Sequence, residues 1–273
     1  MVRRAIIVGY GMVAYVAFLG VFVYTIGFVA NLGVPKGIDQ GPSSSAAAAV
    51  LINGGLLALF AVQHSVMARP WFKRWWTRFV PASIERSTFV LAASLVLALL
   101  LWQWRPLPAT VWSVEWSWGR GTLWALYGFG WLMVVGSTFL IDHFDLFGLR
   151  QVVARARGRS PQPLGLRQPF LYRLVRHPIM VGFVIAFWAA PDMSAGRMLF
   201  ALLATGYILV AVRFEERDLV EYHGEAYERY AARVPRFVPR PARLQARPGA
   251  GVDTRRPVDQ QRGWGGVGKR MTS

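Results

Sequence analysis

The chain has 273 residues, 54% of them hydrophobic, and 31 basic against 14 acidic side chains give a formal charge of +17. Soluble domains average about 45–50% apolar residues, and here the excess sits in blocks, which excludes an ordinary soluble domain and points to several membrane spans. With no cysteine, disulfides, cysteine nucleophiles, thiolate metal sites and thioether-attached haem are excluded, and no metal site is expected.

The first apolar block, 5–30, follows Arg3 and Arg4. It exceeds the usual 7–15-residue core of a signal peptide and no small-residue cleavage site follows, so it reads as a span. Gly9-x-Gly11 inside it fits close helix packing; no strand precedes it, so phosphate binding is not indicated. A second span covers 46–67 and carries Gln63-His64-Ser65 near its end. The basic aromatic loop that follows places Trp71, Trp75 and Trp76 where a headgroup-level belt would lie. Spans three and four cover 89–104 and 123–141, joined by a loop with Trp112, Trp116 and Trp118. The fourth ends in Asp142-His-Phe-Asp-Leu-Phe-Gly-Leu-Arg-Gln151. Two shorter apolar runs, 178–190 and 197–212, complete six spans.

Charge orients them. With both termini cytoplasmic, four basic residues (Lys36, Arg105, Arg120 and Arg197) fall outside and the remaining 27 of the 31 fall inside. That asymmetry follows the positive-inside rule, so most of the +17 is an orientation signal. The expected architecture is an all-α integral membrane protein, one domain over 1–240, with cytosolic helices after the last span. Residues 241–273, rich in Arg, Pro, Gly and Gln, read as a disordered basic tail. Nucleic-acid binding is not expected, because this tail lacks interleaved aromatics apart from Trp264.

The polar residues concentrate in 172–239. The runs 179–190 and 197–212 each measure roughly 18–24 Å as helices, and Pro191-Asp-Met-Ser-Ala-Gly196 turns between them. Matched arms return the chain to its starting depth, bringing His177 within reach of Glu215. Pro178 suits a first helical turn, and the free N–H groups there, beside Arg173 and Arg176, suit a carboxylate. Six of the fourteen acids, from Glu215 to Glu228, fall within fourteen positions. Adjacent carboxylates at a membrane surface are costly to dehydrate. They are explained either by salt bridges or by a ligand bearing both a cation and a carboxylate, as S-adenosylmethionine does. Tyr227 and Tyr230, one turn apart, suit either packing or a wall over an adenine or sulfonium.

The set Arg176-His-Pro-x-x-x-Gly182, Glu215-Glu216-x-x-Leu219, Gly224-x-x-Tyr227-x-x-Tyr230 and Val234-Pro-Arg-Phe-Val-Pro239 resembles the cofactor-binding half of the isoprenylcysteine carboxyl methyltransferase superfamily. Met180 stands where that family often has an aromatic residue. Farther forward, His64-Ser-Val-Met-Ala-Arg69, Glu85-Arg-Ser-Thr88 and His143-Phe-Asp-Leu-Phe-Gly-Leu-Arg-Gln-Val152 are similar to the bacterial methanethiol S-methyltransferases, which sit beside nurim-like and NnrU-like membrane proteins.

The resemblance implies S-adenosylmethionine as cofactor, methanethiol as substrate and dimethyl sulfide as product, in a bacterial inner membrane with the site facing the cytoplasm. The cofactor-binding residues would be Arg173, Arg176, His177, Pro178, Gly182, Glu215, Glu216, Tyr227 and Tyr230. His64 and His143 fall at inner span ends, so either suits a proton acceptor, with Asp145 orienting a histidine or capping the span. Two other readings stay open: another thiol or an isoprenylcysteine-type carboxylate as acceptor, and a non-catalytic NnrU- or nurim-like protein. Membrane lipid is the remaining expected partner.

Overall fold

The computed structural model describes residues 2–159, 165 and 168–239. The expected tail at 241–273 lies outside them. Helices dominate: α1 (Val2–Ala30), α2 (Ala46–Ala68), α3 (Pro70–Trp76), α4 (Glu85–Gln103), α5 (Ser117–Ile141), α6 (His143–Leu146), α7 (Leu149–Ala156), α8 (Leu171–Leu174), α9 (Pro178–Trp188), α10 (Ala195–His223) and α11 (Glu225–Arg233). Among the described residues α1, α2, α4, α5 and α10 are long and apolar enough to cross a bilayer.

Several expected boundaries move, each for a physical reason. The stretch after α2 is not a loop, because Pro70 opens the short helix α3, where a missing N–H is tolerated. The third long helix begins at Glu85, whose carboxylate favours the first turn. The fourth begins at Ser117, six residues ahead of the purely apolar run.

The largest correction concerns the final hairpin. Its arms are unequal: α9 has 11 residues and α10 has 29, about 16 Å against about 43 Å at 1.5 Å per residue. An 11-residue helix falls well short of the roughly 20 residues a crossing needs. After it the chain is non-helical from Ala189 to Ser194. The end of that stretch forms strand β2 (Asp192–Ser194), antiparallel to β1 (Thr110–Ser113), with Thr110 opposite Ser194 and Ser113 opposite Asp192. In place of a simple turn and a Trp-bearing loop, the two connections pair as a ribbon. Arg120 clasps it with a bidentate bond to Asp192 (2.9 and 2.7 Å), while Ser113 Oγ donates to the same carboxylate at 2.7 Å.

Polar groups inside the bundle are satisfied locally. Asn53 of α2 is fully buried and bonds both backbone groups of Arg105 (2.7 and 2.8 Å), fixing the end of α4. Lys36 Nζ donates to the carbonyls of Leu101, Trp102 and Trp104, the unpaired C-terminal groups of the same helix. The apolar core gathers Phe28, Leu100, Trp104, Trp131, Phe187 and Phe200.

The tightest helix contact is α5 on α9. A Cβ at Gly182 would lie 2.7 Å from Gly130 O and 2.9 Å from Val134 N, and one at Gly130 would lie 2.7 Å from Gly182 O. The two glycines therefore let the backbones touch, a recurring device of membrane helices. In α1 the packing glycine is Gly11, against Val152 of α7, while Gly9 faces open space. Gly182→Ala is expected to destabilise the protein by about 1–3 kcal/mol through overpacking against backbone. Gly9→Ala should be neutral or mildly stabilising; thermal unfolding in one detergent compares them.

Candidate functional site

The candidate site is built where four pieces of chain converge. The segment before α9 leaves helical geometry at Val175, and Arg176 and His177 run extended beside the chain's own return. Arg176 N donates to Pro235 O (2.8 Å) and His177 N to Arg236 O (3.2 Å). That return is possible because Gly224, with φ 55°, ends α10 and starts α11 in the opposite sense. The turn lays Tyr227 and Tyr230 inward, both buried.

At the centre is Glu216. Arg176 meets its Oε1 through Nε (2.7 Å) and Nη2 (2.6 Å), His177 Nε2 lies 3.1 Å from the same oxygen, and Arg236 Nε donates to Oε2 at 2.6 Å. Arg176 Nη1 donates further to the carbonyls of Ala231 and Val234. Both carboxylate oxygens and most of the Arg176 fork are thus committed inside the protein. Glu216 and Arg176 form a buried, multiply bonded pair, the arrangement that makes an internal charge tolerable.

Glu215 is different. One residue along α10 turns it by about 100°, and its side chain is 46% exposed with Oε2 3.7 Å from His177 Nδ1. Tyr227 is different in another way. It is only 2% exposed, yet its hydroxyl has no hydrogen-bond partner among the described residues. Burial, with Glu216 nearby, pushes the Tyr227 phenol well above its ordinary pKa, so it is a neutral donor. Tyr230 is pushed up to about 12 by burial, but it already donates to Tyr172 O at 2.6 Å.

The structure therefore brings Arg176, His177, Pro178, Glu215, Glu216, Tyr227 and Tyr230 together. It does not bring Arg173, whose exposed side chain bonds Gln168 O at 3.1 Å on the outer side of α8. Nor does Gly182 face the cluster, being occupied by the α5 crossing. Arg236 was not singled out as a site residue from the sequence. Its signal lay in the Val234-Pro-Arg-Phe-Val-Pro239 motif, and only the backbone pairing with Arg176 and His177 shows why it matters.

The other candidates lie apart. His143 is bonded through both ring nitrogens, to Tyr15 Oη (2.8 Å) and Thr138 Oγ1 (2.8 Å), and stacks on Phe139 at 4.2 Å. Burial holds its pKa below the ordinary value, so it is a neutral imidazole. Asp145 takes a hydrogen bond from Gln151 (3.1 Å) and donates its own N–H to Asp142 Oδ1 (2.9 Å), which places it in the cap between α5 and α7. His64, on α2, faces Phe60, Phe89 of α4 and Tyr207 of α10. Next to it, Arg69 pairs with Asp218 of α10 at 2.8 Å.

Residues 50–234 match the family model described as NnrU protein. The chain is 54% identical to a methanethiol S-methyltransferase of Mycobacterium tuberculosis (strain ATCC 25618 / H37Rv), over 88% of this chain and 99% of that protein. It is 51% identical to a methanethiol S-methyltransferase of Pseudomonas sp. (strain GM41(2012)), over 85% and 89%. Nurim of Sus scrofa is 33% identical, over 60% of this chain and 66% of nurim. No solved structure matches.

Since Glu216 is the carboxylate that Arg176, Arg236 and His177 all contact, Glu216→Ala leaves Arg176 buried without its counter-ion. It is expected to cost about 3–5 kcal/mol of stability, whereas Glu215→Ala should change the unfolding temperature little. Parallel melts of the two variants decide between an anchoring and an exposed role.

Proposed function

We propose, from the premise that this chain belongs to the NnrU family and to its methanethiol S-methyltransferases, a division of labour at the inner cluster. The protein is an integral membrane enzyme that transfers the methyl group of S-adenosylmethionine to methanethiol, giving dimethyl sulfide and S-adenosylhomocysteine. The cofactor supplies a methyl group already activated by a positively charged sulfur, so the chain's residues need only bind, orient and exclude water.

The observation that carries the reading is the contrast between two neighbouring acids. Glu216, with Arg176, Arg236 and His177, is the fixed frame. Glu215 and the Tyr227 hydroxyl are the polar groups left with capacity for a ligand. Glu215 suits an ammonium group or a ribose hydroxyl. The neutral Tyr227 phenol donates to a carboxylate or a ring nitrogen, and the unpaired N–H groups of the first turn of α9 favour a carboxylate. These groups fit the cofactor's mixture of cation, carboxylate, diol and adenine. Pro178 and His177 shape the opening of that turn, and Tyr230 holds α11 in place.

The five long helices cross the membrane. The short α9 with its extended continuation makes a sixth passage, lined by protein as non-helical chain at membrane depth must be. Both termini and the cluster face the cytoplasm of a bacterial inner membrane, which is the arrangement the basic residues favour.

Glu215→Gln and Tyr227→Phe should each weaken S-adenosylmethionine binding about tenfold, the loss of roughly 1.4 kcal/mol, with an unchanged unfolding temperature. Calorimetric titration reads this out, and unaltered affinity in both variants would remove the assignment. Headspace dimethyl sulfide from purified protein measures the reaction itself. Orientation has its own test, because the chain has no native cysteine. Ser117→Cys should react with an impermeant maleimide in intact cells and Ala82→Cys only after lysis; the reverse order would invert the topology.

A further inference from the structure

Among the four histidines, His64 is the one with unspent hydrogen-bonding capacity inside the bundle. His143 is bonded on both nitrogens, His177 engages Glu216, and His223 lies at the end of α10 against Tyr222. His64 Nδ1 is sealed from solvent and has no hydrogen-bond partner among the described residues. A buried polar atom left in that state costs about 1–3 kcal/mol, which a suitable ligand would recover.

The surroundings define that ligand. Phe60 stacks on the imidazole at 5.4 Å from one turn earlier on α2, Phe89 approaches from α4 at 5.0 Å, and Tyr207 of α10 stands edge-on at 6.5 Å. Ser65 Oγ donates to Tyr207 Oη at 3.3 Å, holding the phenol against α2. An aromatic box with one unpartnered nitrogen suits a small, polarisable sulfur compound, since sulfur packs favourably on aromatic rings and S–H is a weak donor. The ionisable groups nearby are Arg69, paired with Asp218, at the end of α2, and Tyr207 on α10; α4 presents Phe89.

Tyr207 stands eight residues before Glu215 on one continuous helix, about 12 Å deeper along its axis. The aromatic cluster therefore lies farther along α10 from the polar cluster, on the same helix as Glu215. We propose that Phe60, Phe89 and Tyr207 around His64 form the methanethiol site, and that His64 Nδ1 accepts the thiol proton. This rests on the cofactor position given above.

The atoms and charges balance. The S–H bond breaks with its proton going to Nδ1, and the sulfur's electron pair forms the new bond to the methyl carbon. The former carbon–sulfur pair stays on the donor sulfur, which departs as a neutral thioether. The sulfonium charge is replaced by an imidazolium charge, which leaves as a proton to water.

Protein carrying 13C-labelled histidine rings tests the site without turnover. Adding methanethiol in the absence of S-adenosylmethionine should move one ring signal, the one missing from His64→Gln. His64→Ala should lower kcat for dimethyl sulfide by about a hundredfold or more, leave the calorimetric Kd for S-adenosylmethionine within about twofold, and recover turnover with added imidazole or rising pH as the thiol ionises unaided. Methanethiol that leaves the His64 signal unmoved would overturn the site, and so would undiminished turnover in His64→Gln. Loss of turnover that neither imidazole nor pH restores would overturn the proton transfer. A wild-type protein that binds methanethiol at His64 but releases no dimethyl sulfide would count against the methyl-transfer reading and not against the site.

Discussion

One buried carboxylate ties together the chain around the start of α9 and the end of α10. Glu216 receives Arg176 from the start of α9, Arg236 from the chain's return and His177 from between them. These groups come from segments separated by up to 60 residues, and none of the pairings would survive in water as a lasting structure. Within the bundle the dielectric is low, so leaving any partner alone is the costly alternative. The network thereby fixes the angle between α9, α10 and α11, and with it the positions of Glu215 and Tyr227.

The hairpin geometry serves the same end. Glu216 lies 22 residues into α10, whereas α9 contributes only 11. A helical partner of equal length would have been the simpler way to return His177 to that depth. Instead the chain leaves helical geometry after Trp188, and Asp192–Ser194 pair with β1, so that the strand's backbone groups are not left unpaired. Dense contact between Gly130 and Gly182 then seats the short helix on α5. The ribbon, the glycine crossing and the inner ion network are successive consequences of one short helix.

Two histidines, His64 near the end of α2 and His143 just after α5, illustrate how environment assigns roles that residue type leaves open. His143 is clamped by Tyr15 and Thr138 and stacked on Phe139, which makes it a joint between α1 and α5. His64, at a similar place in the sequence pattern, has aromatic neighbours and, among the described residues, no hydrogen-bond partner at Nδ1. Asp145 sits with Asp142 and Gln151 and away from either imidazole. Carboxylates divide in the same way, Glu216 into the frame and Glu215 half-exposed beside His177.

By itself the sequence determined the membrane class, the long apolar helices and the segment in which the polar chemistry gathers. These depend on the length and hydrophobicity of contiguous runs, which any single chain displays without reference to its neighbours. Charge asymmetry likewise needed only counting. The meeting of His177 with Glu215 and Glu216 was legible too, although for a reason that the unequal arms correct. Only the tertiary structure decided which of two adjacent glutamates is buried, that Arg173 faces away while Arg236 faces in, and that Gly182 serves a helix crossing. Those outcomes depend on the rotation of each helix about its axis and on partners far away in the chain. A step of one residue, about 100°, is enough to exchange a buried anchor for a half-exposed side chain.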